Sequence, residues 1–148
     1  MKAFLDTNVL LDALIDSRIG HEATLAVLQV IRAGDITACM SAQSIVDAAY
    51  IATRHKGNEL ADFRKRIETV SGIVSIVPIT AEDITRANHS PIADYEDAAQ
   101  LSCAERCGCD AIVTSDKKFE GYTDIYTFTP LELYSLIFSR LPDDGMTY

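Results

Sequence analysis

Long apolar runs are missing from this sequence. No stretch approaches the roughly 20 apolar residues that cross a membrane, and the first apolar run, at residues 3–5, is too short for the core of a signal peptide. Low-complexity tracts and internal repeats are also absent. These absences argue against a membrane protein and against a disordered chain, and we expect an ordered protein with no membrane contact and a cytoplasmic location.

Cysteine pairs with the spacing of metal ligands are missing as well. The chain has four cysteines, and no two of them form a C-x-x-C pair. Cys103, Cys107 and Cys109 cluster, but no histidine lies close to them in sequence. We therefore expect small buried side chains, rather than a zinc site or a disulfide framework.

Positive charge is scarce. The 13 Lys and Arg residues stand against 22 Asp and Glu residues, which gives a formal net charge of −9 at pH 7. Proteins that bind nucleic acids usually present a basic surface. A polyanionic substrate would therefore have to meet local basic patches or bound cations.

Apolar segments alternate with helical patterns along the chain. With 48% hydrophobic and 24% charged residues, 148 residues suffice for one packed globular domain. Strand-like runs occupy residues 3–5, 36–40, 73–79, 110–114 and 125–128. Helical patterns begin at Val9 and at Thr80 and also cover residues 20–32, 41–55, 59–70, 93–107 and 130–140. Because the strands are apolar rather than alternating, we predict a three-layer α/β/α domain over residues 1–140, with a central parallel sheet and a tail at residues 141–148.

The N-terminal stretch carries the first candidate site residue. The apolar run at residues 3–5 ends in the polar turn Asp6-Thr7-Asn8, and a helical pattern follows at once. In open α/β sheets, ligands bind beyond the carboxyl ends of the strands, which is where this turn would put Asp6. Asp is also a common helix N-cap, and the stretch taken alone favours the cap.

Other acids occupy comparable positions. Asp94 and Asp97 lie in the first turn of the helix predicted at residues 93–107, on the stripe that should face the sheet. Capping and the helix dipole would explain both acids without a site. Asp116 follows an apolar strand directly and so should lie, like Asp6, at a carboxyl end of the sheet.

Asp47 is the least expected acid. It lies inside a mostly apolar helical segment, where Asp is a poor helix former and is costly to bury without a partner, unless it simply faces water. Four carboxylates that converge on one sheet edge cannot all stay ionised without a compensating cation. Carboxylate oxygens are hard ligands, and such ligands select Mg²⁺ or Mn²⁺.

The order of these motifs resembles that of the PIN domain, a small metal-dependent nuclease fold, and in particular its bacterial ribonuclease toxins. The resemblance extends from the opening strand to the helix after Thr129-Pro130. Its specific part is the combination of FLDTN at residues 4–8, DYEDAAQ at residues 94–100 and IVTSD at residues 112–116. The resemblance implies a parallel sheet of about five strands in flavodoxin-like order.

The resemblance also implies roles for individual residues. The first, third and fourth acids of the family's site fall on Asp6, Asp97 and Asp116, which would bind the metal directly. The second acid is normally Glu and falls on Asp47, which is one methylene shorter, so we expect Asp47 to contribute more weakly, through water. The residues expected to support these acids or to contact the substrate are Asp94, Thr7, Asn8, Ser115, Lys117 and Lys118.

The implied activity is the cleavage of RNA phosphodiester bonds with one or two Mg²⁺ or Mn²⁺ ions, which would activate water for in-line attack. The cations would also reconcile an acidic protein with a polyanionic substrate. Local basic groups for the RNA backbone are Arg54-His55-Lys56, Arg64-Lys65-Arg66 and Lys117-Lys118. The last pair is favoured because it adjoins Asp116, although such runs often form only a solvated face.

The resemblance implies partners too. It indicates a toxin that a separate antitoxin protein holds inactive, and a homodimer. Residues 60–70 combine the apolar Phe63, Ile67 and Val70 with three basic residues and are the candidate dimer surface. The same apolar residues would alternatively belong to the intramolecular core.

Two other functions remain open at this point. The Asp at position 47 and the negative charge are compatible with an inactive PIN-like domain that binds RNA or acts as a scaffold. An Asp after the first strand can also be the phosphorylated nucleophile of a phosphatase-like hydrolase, although no partner motif beyond Asp116 supports it. Metal-dependent cleavage of single-stranded RNA would separate the nuclease from the inactive domain, and a trapped aspartyl-phosphate would favour the phosphatase.

Overall fold

The computed structural model describes residues 1–54 and 60–140. The strands are β1 (Lys2–Leu5), β2 (Thr37–Ser41), β3 (Ser75–Val77), β4 (Ala111–Val113) and β5 (Tyr126–Phe128). The helices are α1 (Thr7–Leu14), α2 (His21–Ala33), α3 (Ala42–Ala52), α4 (Leu60–Ser71), α5 (Ala81–Asn88), α6 (Tyr95–Arg106) and α7 (Pro130–Arg140). The predicted tail at residues 141–148 and the basic residues His55 and Lys56 lie outside this description. Among the described helices, none is both long and apolar enough to cross a membrane.

The five strands form one parallel sheet in the order β3-β2-β1-β4-β5, as predicted in number and direction. In the centre, Phe4 of β1 lies opposite Cys39 of β2 on one side and Ile112 of β4 on the other. The chain adds β2 and β3 on one side of β1 and then reverses to add β4 and β5 on the other. The flavodoxin-like order has the same reversal beside β1, but with one strand on the first side where this sheet has two.

Alternate residues of β1 enter two different cores, because successive side chains of a strand point to opposite faces. Ala3 and Leu5 pack with residues of α1, α2, α3, α4 and α7. Phe4 packs on the other face against α6, and α5 joins α6 in a smaller cluster around Ala87. The predicted three-layer α/β/α architecture is therefore confirmed.

Strand β3 is shorter than its sequence predicts. The apolar run at residues 73–79 predicts a strand over its whole length, but β3 has only three residues. The amides of Ile73 and Val74 donate to the Val70 carbonyl and so close the end of α4. At the other end, Pro78 has no N–H with which to continue the ladder.

The apolar side chains of α4 face the protein's own core. Phe63 and Val70 are buried, and Ile67 packs against the same cluster. The neighbouring Arg64 and Lys65 are exposed. The structure thus corrects the candidate dimer surface, since its apolar residues already pack within the chain.

A buried ion pair joins α5 to α6. Asp83 is fully buried, and its Oδ2 accepts from the Thr80 N–H at 2.9 Å as part of a capping box at the start of α5. The Arg106 guanidinium donates to both Asp83 oxygens at 3.0 to 3.2 Å and to the Pro78 carbonyl at 2.6 Å. Burial favours the neutral acid, but these hydrogen bonds from Arg106 lower the pKa of Asp83 below its ordinary value.

A second buried carboxylate, Asp12, fixes the loop between α1 and α2. Its Oδ1 accepts from Arg18 Nε at 2.6 Å, and its Oδ2 accepts from the Ser115 hydroxyl at 2.9 Å. The backbone of Gly20 approaches this carboxylate so closely that a Cβ there would lie 2.3 Å from Asp12 Oδ2. Because two partners hold the carboxylate, it cannot move aside without breaking hydrogen bonds.

Replacing Gly20 with Ala is therefore expected to lower the free energy of unfolding by about 1 to 3 kcal/mol. The matched control is Gly72→Ala, where the nearest atom to the new Cβ is the Thr69 carbonyl oxygen at 3.4 Å. We expect the control to change stability by less than about 0.5 kcal/mol. Urea denaturation measures both variants, and equal effects would contradict the role assigned to the contact with Asp12.

Candidate active site

The carboxyl ends of β1 and β4 meet where the strand order reverses. Leu5 pairs with Val113, and the N–H of Asp6 donates to the Val113 carbonyl at 3.0 Å. Asp6 and the segment from Thr114 to Asp116 therefore lie side by side. This is the position at which open α/β sheets bind ligands.

Asp6 caps α1 and also contacts two other side chains at this sheet edge. It is buried, with 1% of its surface exposed. Its Oδ1 accepts from the N–H of Thr7 at 2.8 Å, so Asp6 is the N-cap of α1, and the helix begins at Thr7 rather than at Val9. Its Oδ2 lies 3.0 Å from the Thr114 hydroxyl and 3.0 Å from Lys118 Nζ. The two roles use different oxygens.

Asp97 reaches the same place from α6. The exposed Asp94 is the N-cap of this helix, with its Oδ1 accepting from the N–H of Asp97 at 3.0 Å. The Asp97 carboxylate contacts Lys118, with 2.6 Å between Oδ1 and Nζ. Burial raises the pKa of Asp97, and the Asp94 and Asp6 carboxylates add to this effect while Lys118 opposes it. The cap that the sequence allows for both acids is thus made by Asp94 alone.

Lys118 is the cation at the centre of this group. Its ammonium bridges Asp6 and Asp97, while only 23% of its side chain is exposed. Burial by itself would lower the pKa of Lys118, but the two carboxylates raise it above its ordinary value. The ammonium is therefore held in its charged form between two acids that come from different elements.

Asp116 is linked to Asp6 through Thr114. The Thr114 hydroxyl lies 3.0 Å from Asp6 Oδ2 and 3.1 Å from Asp116 Oδ1. Since the hydroxyl has one proton, it can donate to only one of these carboxylates at a time. Asp116 also accepts from the backbone N–H of Lys118 at 3.3 Å, while its side chain is exposed at the protein surface.

Asp47 lies in a neighbouring cleft rather than on Lys118. Its Oδ1 accepts from the Gln43 amide at 2.9 Å. The cleft has a volume of about 320 Å³, and its lining includes Asp47, Glu96 and Gln100. Desolvation raises the pKa of Glu96, and the nearby Asp47 carboxylate raises it further. This cleft therefore holds two carboxylates. It lies beside the group of Asp6, Asp97, Asp116 and Lys118, which we call the Lys118 centre.

Hydrogen bonds connect this cleft with the start of α1. The Thr7 hydroxyl donates to Glu96 Oε1 at 3.2 Å and lies 2.8 Å from the Ser44 hydroxyl. The Gln100 amide donates to Ser44 Oγ at 2.6 Å and to Thr7 Oγ1 at 3.3 Å. Gln100 Oε1 is buried and has no hydrogen-bond partner among the described residues. Thr7 thus contacts two acids, Asp6 through its backbone N–H and Glu96 through its hydroxyl.

The other predicted support residues lie elsewhere. The Ser115 hydroxyl donates to Asp12, in a cleft of about 570 Å³ whose lining includes none of the four predicted acids. Lys117 pairs with Glu132 of α7 at 2.7 Å and with Glu120 at 3.6 Å. Asn8 is half-buried in the first turn of α1. Neither Ser115 nor Lys117 contacts the Lys118 centre through these hydrogen bonds and ion pairs.

Sequence reasoning missed three residues of this region. Thr114 bridges two acids, Glu96 adds a carboxylate, and Gln100 carries an unpaired buried oxygen. Thr114 and Glu96 stand directly beside predicted residues in the motifs at residues 94–100 and 112–116, which was an available signal. Gln100 lies on the buried side of α6, where a polar side chain is costly unless it is hydrogen-bonded, so its presence there was also a signal.

The donor set bears on the implied metal. Within residues 1–54 and 60–140, no three His, Cys, Asp or Glu side chains converge closely enough to hold an ion. Two of the predicted acids, Asp6 and Asp97, instead contact the Lys118 ammonium directly. Hard carboxylate oxygens around a positive charge fit the chemistry of Mg²⁺ or Mn²⁺. In this structure that positive charge is the Lys118 ammonium rather than a divalent ion.

Known proteins resemble this chain in sequence. It is 26% identical over 124 residues to the ribonuclease VapC1 of Aquifex aeolicus, and the match covers 80% of this chain and 83% of that protein.

Solved structures share the fold. VapBC2 of Rickettsia felis, solved with a DNA fragment from its promoter, has a TM-score of 0.68 at 15% identity over 87% of this chain and 98% of that one. VapC20 of Mycobacterium tuberculosis, described as a toxin that cleaves the sarcin-ricin loop, has a TM-score of 0.64 at 12% identity over 84% and 98%.

A family model gives the assignment. The model of the PIN domain matches residues 2–118, which include β1, β4 and the acids Asp6, Asp47, Asp97 and Asp116. The chain belongs to the PIN domain family.

Proposed function

We propose that this protein is a metal-dependent endoribonuclease and the toxin of a toxin–antitoxin pair. The observation that carries the proposal is that Asp6 and Asp97 meet at the half-buried ammonium of Lys118 where the strand order reverses, with Thr114 within hydrogen-bond distance of both Asp6 and Asp116. A relative named as a ribonuclease and a fold shared with toxins support the same activity. The phosphatase alternative gains no support from membership of the PIN domain family.

Asp6, Asp97 and Asp116 are the proposed ligands, with Mg²⁺ or Mn²⁺ as the ion. When bound, such an ion supplies Lewis acidity that activates water and stabilises charge on the leaving oxygen. The chain itself orients the ligands: Thr7 N–H fixes one oxygen of Asp6, and the Thr114 hydroxyl lies between Asp6 and Asp116 and can donate to either. Asp94 caps α6 and thereby fixes the first turn that carries Asp97.

Asp47 and Glu96 are proposed to act together in the adjoining cleft. The family's Glu is replaced here by the shorter Asp47, while Glu96 contributes a carboxylate to the same cleft. Two carboxylates plus the unpaired Gln100 oxygen make this cleft rich in hydrogen-bond acceptors. It is therefore suited to water or to donor groups near the Lys118 centre.

RNA has to bind an acidic protein. The protein has a net charge of −9, which repels the RNA backbone. The groups proposed to attract the RNA are the exposed Arg64 and Lys65 of α4, together with the metal. Lys117 is already paired with Glu132, so we give it a smaller part in RNA binding. The cytoplasm is the proposed location.

An antitoxin is the proposed protein partner. Structural neighbours include a toxin–antitoxin complex from Klebsiella pneumoniae, with a TM-score of 0.62 at 19% identity over 88% of this chain and 98% of that one. The reading frame next to this gene should therefore encode a small protein that co-purifies with the chain and inhibits it. A homodimer is also proposed, and light scattering at high concentration tests it.

An inactive domain is the second candidate, because Lys118 already offsets part of the negative charge of Asp6 and Asp97 without a metal. Incubation of the protein with single-stranded RNA in Mn²⁺, in Mg²⁺ and in excess chelator separates the two candidates. Cleavage that requires the ion supports the nuclease. Binding of RNA without cleavage in either ion supports the inactive domain.

Variants at Asp47 test how the second acid acts. If Asp47 works through water, Asp47→Glu should keep or raise the cleavage rate, and Asp47→Ala should lower it by roughly tenfold, as for loss of an outer partner of a metal site. Glu96→Gln should cause a loss of similar size. Glu22→Gln, which changes an exposed acid in the first turn of α2, is the control.

The opposite pattern would identify a remnant of an enzyme. In that case none of these proteins cleaves RNA in either ion. Asp47→Ala would then melt at the highest temperature, because Ala is the better helix former and repulsion with Glu96 is removed. Cleavage rates and melting temperatures of the same samples decide between the two patterns.

A further inference from the structure

The ammonium of Lys118 occupies the place where a divalent ion is expected. Its Nζ lies 3.0 Å from Asp6 Oδ2 and 2.6 Å from Asp97 Oδ1. Asp6 is almost fully buried, so without Lys118 its charge would have no cationic partner among the described ion pairs. A buried carboxylate without a partner is strongly destabilising.

We infer that Lys118 is an internal counter-cation for Asp6 and Asp97 and that a divalent ion must displace its ammonium in order to bind. Lys118 thereby sets the affinity of the protein for the metal. The inference rests on the proposed function, since it assumes that the ion binds at Asp6 and Asp97. It assigns Lys118 a role in positioning the acids and in metal binding, which differs from the contact with the RNA backbone expected from the sequence.

Geometry requires the displacement. Mg²⁺ binds carboxylate oxygens at about 2.0 to 2.1 Å. Lys118 Nζ contacts one oxygen of each acid, Asp97 Oδ1 at 2.6 Å and Asp6 Oδ2 at 3.0 Å. An ion on these oxygens would lie within a few ångströms of the ammonium, where two positive charges repel strongly in a buried setting. The ammonium and the metal are therefore alternatives.

The chain allows the ammonium to leave without unfolding. The backbone N–H of Lys118 is held by Asp116 Oδ1 at 3.3 Å, and the next residue, Phe119, is fully buried. Lys117 before it has a left-handed backbone with φ of 54°, which fixes the turn. The flexible four-carbon side chain of Lys118 can thus swing out while its backbone stays in place.

The test is the Mn²⁺ affinity of metal-free proteins, measured by titration calorimetry. Lys118→Met is expected to bind Mn²⁺ about tenfold more tightly than wild type, a typical size for coupling between two binding events. Without metal the variant should melt at a lower temperature than wild type, and saturating Mn²⁺ should raise its melting temperature by more. If the methionine variant does not fold, Lys118→Gln repeats the measurement with a neutral side chain that can still donate to a carboxylate.

Two controls isolate the charge. Lys118→Arg keeps the cation and should bind Mn²⁺ no more tightly than wild type. Lys117→Met removes the neighbouring cation, which pairs with Glu132 and Glu120, and should leave the affinity unchanged.

The outcomes separate this inference from the proposed function. If wild type binds Mn²⁺ and both neutral Lys118 variants bind it no more tightly, the inference is wrong and the proposed function stands. If neither wild type nor any variant binds Mn²⁺, the metal site of the proposed function fails and the inference fails with it. If Lys117→Met tightens binding as much as Lys118→Met, general charge rather than the bridging position is responsible, and the inference is again overturned.

Discussion

Asp97→Asn and Asp6→Asn are each expected to lower RNA cleavage by at least about a hundredfold. Even the outer partners of metal ligands are worth roughly 10- to 100-fold, and these two residues are proposed to be ligands themselves. Asn is also a good N-cap, so Asp6→Asn should keep the start of α1 intact. The same variants should bind Mn²⁺ much more weakly than wild type.

Asp94→Asn is the matched control for this prediction. Asp94 lies in the same segment as Asp97, but its side chain caps α6 through the N–H of Asp97, and Asn can make the same hydrogen bond. We expect its cleavage rate to stay within a few-fold of wild type. Initial rates at saturating Mn²⁺ and calorimetric titration provide the measurements. If both Asp6→Asn and Asp97→Asn keep the wild-type cleavage rate and the wild-type Mn²⁺ affinity, the proposed metal site is wrong.

Arg106→Met is expected to lower the free energy of unfolding by about 2 to 3 kcal/mol. Loss of one partner of a buried pair costs about 3 to 5 kcal/mol, and we take a lower figure because 25% of the Arg106 side chain is exposed. The variant leaves the Asp83 carboxylate with 0% exposure and without its guanidinium. Urea denaturation at neutral pH measures the loss.

The matched control for Arg106 is Arg86→Met. Arg86 also joins α5 to α6, through Glu105, but both side chains of this pair are substantially exposed, at 45% and 29%. Exposed ion pairs contribute about 0 to 1 kcal/mol, so the control should change stability little. Equal losses in the two variants would show that burial of Asp83 is not the cause.

The effect of Arg106→Met should depend on pH. Arg106 lowers the pKa of Asp83 below its ordinary value of 3.8. A carboxylate with a lowered pKa stabilises the folded state above the unfolded pKa, and this contribution is lost as the pH falls through the folded pKa. The difference between wild type and variant should therefore be largest above about pH 4 and should narrow below it. A difference that stays constant from neutral to acid pH would argue against the ionised pair.

The order of strands and helices followed from local patterns in the sequence. Apolar runs, turn residues and caps are set by neighbours along the chain, so the elements from β1 to α7 could be predicted to within a few residues. Strand β3 is the exception, because the end of α4 takes up Ile73 and Val74 and Pro78 stops the ladder. The positions of Asp6 and Asp116 at strand ends also followed, since they depend only on where an apolar run stops.

The sequence by itself determined the α/β fold and the family motifs, whereas the partners of the acids were decided by the tertiary structure. Lys118 reaches Asp6 and Asp97 only because β1, β4 and α6 meet at the switch point. The packing of distant elements also puts Asp47 in a cleft with Glu96 and brings Phe63 of α4 into the core. Periodicity and capping act over a few residues and fix the backbone locally. Which charged side chains meet depends on how elements that are far apart in the sequence pack together. No local sequence pattern contains that information.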